Sequence, residues 1–229
     1  MALKRIFDIV AAVFGLLAFM PAGILIGIVI IVCCGFPVFY RQQRIGRFGK
    51  PFQCVKFRTM SLRNEISGTV TAANDTRITP VGRFLRRYKL DEFPQLWNVL
   101  TGRMSFVGPR PDVPGYADRL VGEDRIVLSV RPGITGPASI FFRHEEMILA
   151  SVKDPENYND SVIWPLKVKI NRRYVEKLTL WNDLRLIAAT IMPCIGVCPQ
   201  CISDSPRNVE ELESCVKNWV ENSSVPFGE

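Results

Sequence analysis

Ile6-Phe7-Asp8-Ile9-Val10-Ala11-Ala12-Val13-Phe14-Gly15-Leu16-Leu17-Ala18-Phe19-Met20-Pro21-Ala22-Gly23-Ile24-Leu25-Ile26-Gly27-Ile28-Val29-Ile30-Ile31-Val32-Cys33-Cys34-Gly35-Phe36-Pro37-Val38 contains a single charged side chain, Asp8. A bilayer core is crossed by about 20 helical residues, so this run is long enough to enter a membrane. It is too long for the apolar core of a signal peptide, and no small-residue cleavage site follows it. A buried helix of a soluble core is the plain alternative, and the length argues against it. Pro21 falls near the middle and disfavours helical backbone at Met20, which predicts a break there.

Both flanks of the run are basic: Lys4 and Arg5 before it, Arg41, Arg44, Arg47 and Lys50 after it. Positive flanks favour the cytoplasmic side, and a spanning helix satisfies only one of them. A helix that enters, bends at Met20-Pro21 and returns satisfies both. The re-entrant hairpin is therefore the expectation, with a kinked spanning helix as its rival. The net charge of +7 calls for an anionic partner: a membrane face, a phosphorylated substrate or nucleic acid. Seven cysteines at irregular spacing do not form a disulfide framework and suit a reducing compartment.

Beyond the run, Gly46 and Gly49-Lys50-Pro51 predict a turn, and Phe52 to Met60 a short strand with Lys56 and Arg58 on one side. Six cations and no acid lie between Arg41 and Arg58. They fit a solvated basic edge, a lipid-facing edge or a phosphate-facing strand equally well. Ser61 to Thr79 reads as a long polar loop, and Gly82 to Leu90 as a short basic helix.

That helix ends in Lys89-Leu90-Asp91-Glu92-Phe93-Pro94-Gln95-Leu96-Trp97-Asn98, where cations give way to two adjacent carboxylates and a second helix begins, to stop at Gly102. Asp91 sits where an N-cap would sit, with Pro94 in the first turn. A simple cap is one reading. The other is a carboxylate held at the positive end of a helix among cations, so that it stays ionised and attracts anionic or metal-bound ligands. Farther on, Arg110 lies between Pro109 and Pro111, and Arg131 enters Pro132-Gly133-Ile134-Thr135-Gly136-Pro137. Rigid backbone lowers the entropy lost when a guanidinium fork is aimed at an anion.

Taken together, Lys4-Arg5-Ile6-Phe7-Asp8, Lys56-Phe57-Arg58-Thr59-Met60, Leu90-Asp91-Glu92 with Pro94-Gln95-Leu96 and Asn98, Met104 to Pro111, and Val130 to Gly136 resemble the bacterial sugar transferase family, the monotopic phosphoglycosyl transferases. The likeness runs in order from about residue 3 to 140 and is weaker through Tyr174 to Ile191. It implies transfer of a sugar-1-phosphate from a nucleotide diphosphate sugar, with uridine the implied nucleotide, to polyprenyl phosphate. Asp91 would be the nucleophile and Glu92 its companion, both at Mg²⁺. Lys56, Arg58, Arg77, Arg86, Arg110 and Arg131 become the candidates for phosphate or nucleotide contacts. Membrane lipids and downstream glycosyltransferases are the implied partners, and nucleic acid is not. The site would lie on the cytoplasmic face of a bacterial inner membrane. Many members carry Ser-Pro at the membrane break, where this chain has Met20-Pro21.

Leu166 to Met192 predicts one amphipathic helix with Ile170, Tyr174, Leu178 and Trp181 on a face, either packed on the core or lying in the membrane interface. Cys194, Cys198 and Cys201 with Cys215 could make a four-thiolate metal site, but the spacing is irregular and reduced thiols are the simpler reading. His144, the lone histidine, reads as a local polar residue. The expected fold class is α+β, mainly helical with a short sheet: a re-entrant membrane helix over 1–39, a small cytoplasmic catalytic domain with interfacial helices over 40–200, and a tail over 201–229. A non-catalytic membrane-anchored module binding lipid headgroups or other anions is the competing class.

Overall fold

The computed structural model describes residues 2–61, 77–192 and 205–222. Helix α1 (Ala2–Cys34) is long and apolar enough to cross a membrane by length and composition. Its outer face has no protein cover: Phe14 is 75% exposed and Val32 79%, while only Asp8, Ala12 and Ile30 are buried. An apolar face of that length is not compatible with bulk water on a soluble monomer. The opposite stripe packs on the domain at helical spacing. Phe7 meets the Phe106 ring, and Ala12 sits among Phe52, Cys54, Val99 and Met104. Phe19 meets Phe93 with ring centroids 4.8 Å apart, and Ile30 packs on Phe57 and Leu85.

The expected break at Met20-Pro21 is not a gap in the helix, because α1 runs through Pro21 without losing helical assignment. Proline removes a single N–H, and the packed stripe continues on both sides of it. Both ends of α1 are tied to the same domain. Lys4 donates to the Val107 carbonyl at 2.9 Å and pairs with Asp183, and Arg5 donates to the carbonyls of Val99 (2.7 Å) and Leu100 (3.0 Å). At the other end the Arg58 guanidinium donates to the carbonyls of Cys34, Gly35 and Phe36 at 2.6, 2.5 and 3.0 Å. It thereby satisfies acceptors that the helix end leaves open.

Strands β1 (Phe39–Ile45) and β2 (Pro51–Phe57) form an antiparallel hairpin in which Tyr40 faces Lys56 and Arg44 faces Phe52. Phe52 and Cys54, two residues apart, point to the buried side against α1. Helix α2 (Pro80–Arg87) starts two residues before the predicted Gly82, at a Thr79 cap that accepts from the Gly82 amide at 2.9 Å. After α2, Lys89 takes a left-handed conformation, a 3₁₀ turn covers Leu90–Glu92, and α3 (Gln95–Leu100) follows. Gly102, with φ of 79°, closes this segment as expected. The Asn98 side chain stitches α3 to the hairpin by accepting from the Val55 amide (3.1 Å) and donating to the Gln53 carbonyl (2.8 Å).

Strands β3 (Ser105–Val107) and β4 (Gly133–Thr135) pair in parallel. Behind them lie α4 (Pro137–Phe141), α5 (Glu145–Ala150), α6 (Pro155–Tyr158), a π turn over Asn159–Ile163, α7 (Trp164–Glu176), α8 (Leu180–Ile191) and α9 (Val209–Asn222). Phe141, Phe142, Ile148, Ile163, Ile170 and Leu212 form one core among them, and α8 packs Leu186 and Ala189 on Val107, Ile140 and Tyr174 in a second. The single helix expected over Leu166 to Met192 is two helices, because Thr179 caps α8 by accepting from Asn182 and resets the phase. Trp181 therefore leaves the face of Ile170 and Tyr174 and is 64% exposed. Most of the Ser61–Thr79 loop, together with Cys194, Cys198 and Cys201, lies outside the described residues.

Candidate active site

The left-handed Lys89 turns the chain so that Asp91 and Glu92 both face inward, and each is nearly buried. Asp91 is not a cap: α3 begins at Gln95 after Pro94, and no side chain caps it. Its Oδ1 is buried with no hydrogen-bond partner among the described residues. Native interiors seldom leave a charged acceptor in that state unless it has a use. Burial first, and then the adjacent Glu92 charge, push the Asp91 carboxyl above its ordinary value, against the pull of Lys56, Lys89 and Arg86. The expectation that neighbouring cations keep Asp91 ionised therefore meets a stronger opposing effect.

Glu92 is arranged in the opposite way. Its Oε1 accepts from Lys56 at 2.8 Å and from Arg110 at 2.5 Å. Burial works against its charge, but the Arg110 guanidinium and the Lys56 ammonium outweigh that and hold it well below the usual carboxylate range. The adjacent pair thus divides into one carboxylate that fixes two cations and one with a buried, unpartnered oxygen.

Arg110 reaches Glu92 because its two proline-rich turns are locked together. The Gly108 amide donates to the Thr135 carbonyl and the Gly133 amide to the Pro109 carbonyl, each at 2.9 Å. The backbones approach so closely that a Cβ on Gly133 would lie 2.1 Å from the Gly108 nitrogen, and one on Gly136 2.2 Å from the Gly108 oxygen. Only glycine fits there. Gly133→Ala is expected to lower stability by about 1–3 kcal/mol, near the cost of overpacking. Thermal melting checks this; an unchanged melting temperature would refute the close-approach account.

The other candidates divide. Lys56 joins Glu92, and Arg86 approaches Asp91 while its Nε donates to Thr59 Oγ1 at 2.9 Å. Arg58 is elsewhere, capping α1, and Arg131 donates its Nε to the Gly102 carbonyl at 2.8 Å beyond the far end of α3. Arg77 sits beside the Met60–Ile78 bridge, its carbonyl accepting from the Ser61 amide. Two groups were missed in the sequence. Arg44 donates to the Pro111 carbonyl at 3.1 Å and buttresses the Arg110 turn. Asp112 faces Lys167, Arg44 and Arg110, and burial pushes its carboxyl up to about 6. The only sequence signal for Asp112 is its position directly after the rigid Arg110-Pro111 turn.

For a divalent ion, no group of three or more His, Cys, Asp or Glu side chains gathers among the described residues. Mg²⁺ does not need one, since it commonly takes one or two carboxylates and completes its shell with water and substrate phosphates. The open Asp91 Oδ1 fits that use, whereas the oxygens of Glu92 are engaged by Lys56 and Arg110.

The model of one family, described as bacterial sugar transferase, matches residues 1–196. Among curated relatives, the uncharacterized sugar transferase EpsL of Bacillus subtilis (strain 168) is 35% identical over 192 residues, 83% of this chain and 86% of that protein. The exopolysaccharide production protein ExoY of Rhizobium meliloti (strain 1021) is 34% identical over 204 residues, 82% of this chain and 83% of that protein. The UDP-glucose:undecaprenyl-phosphate glucose-1-phosphate transferase of Xanthomonas campestris pv. campestris is 35% identical over 199 residues, 84% of this chain. Against that enzyme the chain spans 39% of the relative's length. With the family match covering both proline-rich turns and the Asp91-Glu92 turn, this chain belongs to the bacterial sugar transferase family.

Proposed function

We propose that this chain transfers a sugar-1-phosphate from a nucleotide diphosphate sugar, with UDP as carrier, to undecaprenyl or another polyprenyl phosphate, through a covalent intermediate on Asp91. The observation carrying this reading is the buried, unpartnered Asp91 Oδ1 beside a Glu92 clamped by Lys56 and Arg110. A module that only binds anions gains nothing from an open buried carboxylate. A nucleophile does, because it is desolvated in advance of the reaction.

The chemistry balances in two displacements. A carboxylate oxygen of Asp91 attacks the phosphorus bearing the sugar, forming the acyl phosphate P–O bond. The P–O bond to the nucleoside phosphate breaks, and nucleoside monophosphate leaves with the electron pair. The polyprenyl phosphate oxygen then attacks the same phosphorus, and the Asp91 carboxylate leaves. Arg110 and Lys56, held by Glu92, face the charge that accumulates on the phosphoryl oxygens. Bound Mg²⁺ would supply further neutralisation of the diphosphate, with Asp91 as its protein donor.

The lipid acceptor requires the site to face a membrane surface. Lys4, Arg5 and Arg58 bind the two ends of α1 to one domain, which supports a monotopic anchor with both ends on the cytoplasmic side. A Leu3→Cys variant, compared with its parent for background labelling, should react with an impermeant thiol reagent only from the cytoplasmic side. Labelling only from the periplasmic side would eliminate this topology. For the activity, nucleotide sugars should be screened with polyprenyl phosphate and Mg²⁺ while nucleoside monophosphate is scored. One donor class should give product. Silence from all of them, with membrane binding intact, favours the anion-binding module.

A further inference from the structure

We propose that Arg47 and Arg131 form a second anion site, separate from the Asp91 centre, that holds the phosphate of a lipid beside the start of α1. Arg131 entered the sequence reading as a phosphate ligand, yet the fold carries it away from Asp91 and Glu92. It lines a cleft with Lys4, Arg5, Asp8, Arg47, Ser105 and Leu178. Four of these six residues and Arg131 itself carry charge, so the use of each charge decides what remains. Lys4 is paired with Asp183, and Arg5 spends its terminal nitrogens on the Val99 and Leu100 carbonyls. The Asp8 carboxylate accepts from the Ser105 hydroxyl and the Phe106 amide, both at 3.1 Å.

Arg47 and Arg131 differ from these. Each is fixed through Nε alone, Arg47 to the Ser129 carbonyl at 2.7 Å and Arg131 to the Gly102 carbonyl at 2.8 Å. The terminal nitrogens of both forks have no partner among the described residues, and the Arg47 guanidinium is further steadied 4.4 Å above the Phe48 ring. Two oriented guanidinium groups with open donors suit the oxygens of a phosphate monoester or diester. Lys4 and Arg5, which line the cleft, are flanked in sequence by Leu3 and Ile6, 65% and 58% exposed, where the uncovered apolar face of α1 begins. A phosphate reaching it would thus be one carried by a lipid at headgroup depth. That lipid is either an anionic phospholipid or a polyprenyl phosphate, which share this chemistry.

The test uses the full chain in neutral detergent and native mass spectrometry, with phosphatidylglycerol, polyprenyl phosphate and phosphate-free diacylglycerol as separate probes. Wild type should retain a phosphate lipid and not diacylglycerol. Arg47→Gln and Arg131→Gln should each weaken retention about ten-fold, near the loss expected for one charge-assisted bidentate contact. Gln at position 47 can still donate to the Ser129 carbonyl, so that variant should keep its thermal melt and remains informative if Arg131→Gln is unstable. Asp91→Asn should retain the lipid as wild type does, which separates this site from the catalytic proposal. Fork-dependent retention of phosphatidylglycerol assigns a headgroup site, and fork-dependent retention of polyprenyl phosphate alone assigns a holding site for that lipid away from the reacting centre. Equal retention by wild type and both variants, or of diacylglycerol and phosphate lipids alike, overturns the proposal.

Discussion

Asp91→Asn is expected to reduce nucleoside monophosphate release by at least about 10³-fold, as loss of a nucleophile that works as part of a unit does. The same change should make the protein more stable. Burial and Glu92 raise the Asp91 carboxyl above 3.8, so its ionised form is less favourable in the folded chain than in the unfolded one. That penalty is absent well below pH 3.8, grows as the pH rises from there to the folded value, and is constant above it. An amide in place of the carboxylate removes it. A gain of about 2–6 °C in melting temperature is expected at neutral pH, and little change at pH 3, from removing a charge that burial disfavours. Activity lost with stability lost would instead mean that Asp91 supports the fold.

The second large effect belongs to Glu92. Glu92→Gln leaves Lys56 and Arg110 without the charge that holds both in place, and should lower the transfer rate about 10²-fold through misplacement of the two cations. Arg110→Ala has a different signature. Glu92 is ionised because Arg110 and Lys56 outweigh its burial, so removing Arg110 lets its carboxyl rise toward the ordinary range. The acid limb of the pH–rate profile should then move to higher pH, whereas Glu92→Gln, which removes the charge that raises Asp91, should move it to lower pH. Equal profiles in the two variants would contradict the clamp. In both, donor binding should weaken less than turnover falls, since the clamp faces charge that builds up during the reaction.

Several of these features were legible in the amino-acid order. The basic flanks at Lys4-Arg5 and beyond Val38 mark the two ends of the apolar run, and those ends are where side chains tie α1 to the domain. The Asp91-Glu92 turn, the Gly102 stop and the rigid setting of Arg110 could also be read, because each depends on residues close in sequence. Strand β1 could not be. Its only buried side chain is Ile45, so the apolar alternation that marks a strand is missing. Arg58 reads as a phosphate ligand, and Arg131 as a ligand of the Asp91 centre, because an arginine bound to a carbonyl more than 20 residues away looks, in one dimension, like any other cation. Asp91 was compatible with a helix cap for a similar reason. Whether a carboxylate caps or stays open depends on where α3 starts, and the left-handed Lys89 and helical Pro94 place that start at Gln95. The division of labour between Asp91 and Glu92 arises from Lys56 on β2 and Arg110 after β3, elements that only the folded chain brings together.

Peptide-resolved mass spectrometry after incubation with donor and Mg²⁺, but no lipid acceptor, tests the central claim most directly. Asp91 should gain the mass of one sugar phosphate, with about one equivalent of nucleoside monophosphate released per chain, and polyprenyl phosphate should then discharge it. Turnover in the complete mixture without any such adduct, or an adduct that persists in Asp91→Asn, would contradict it.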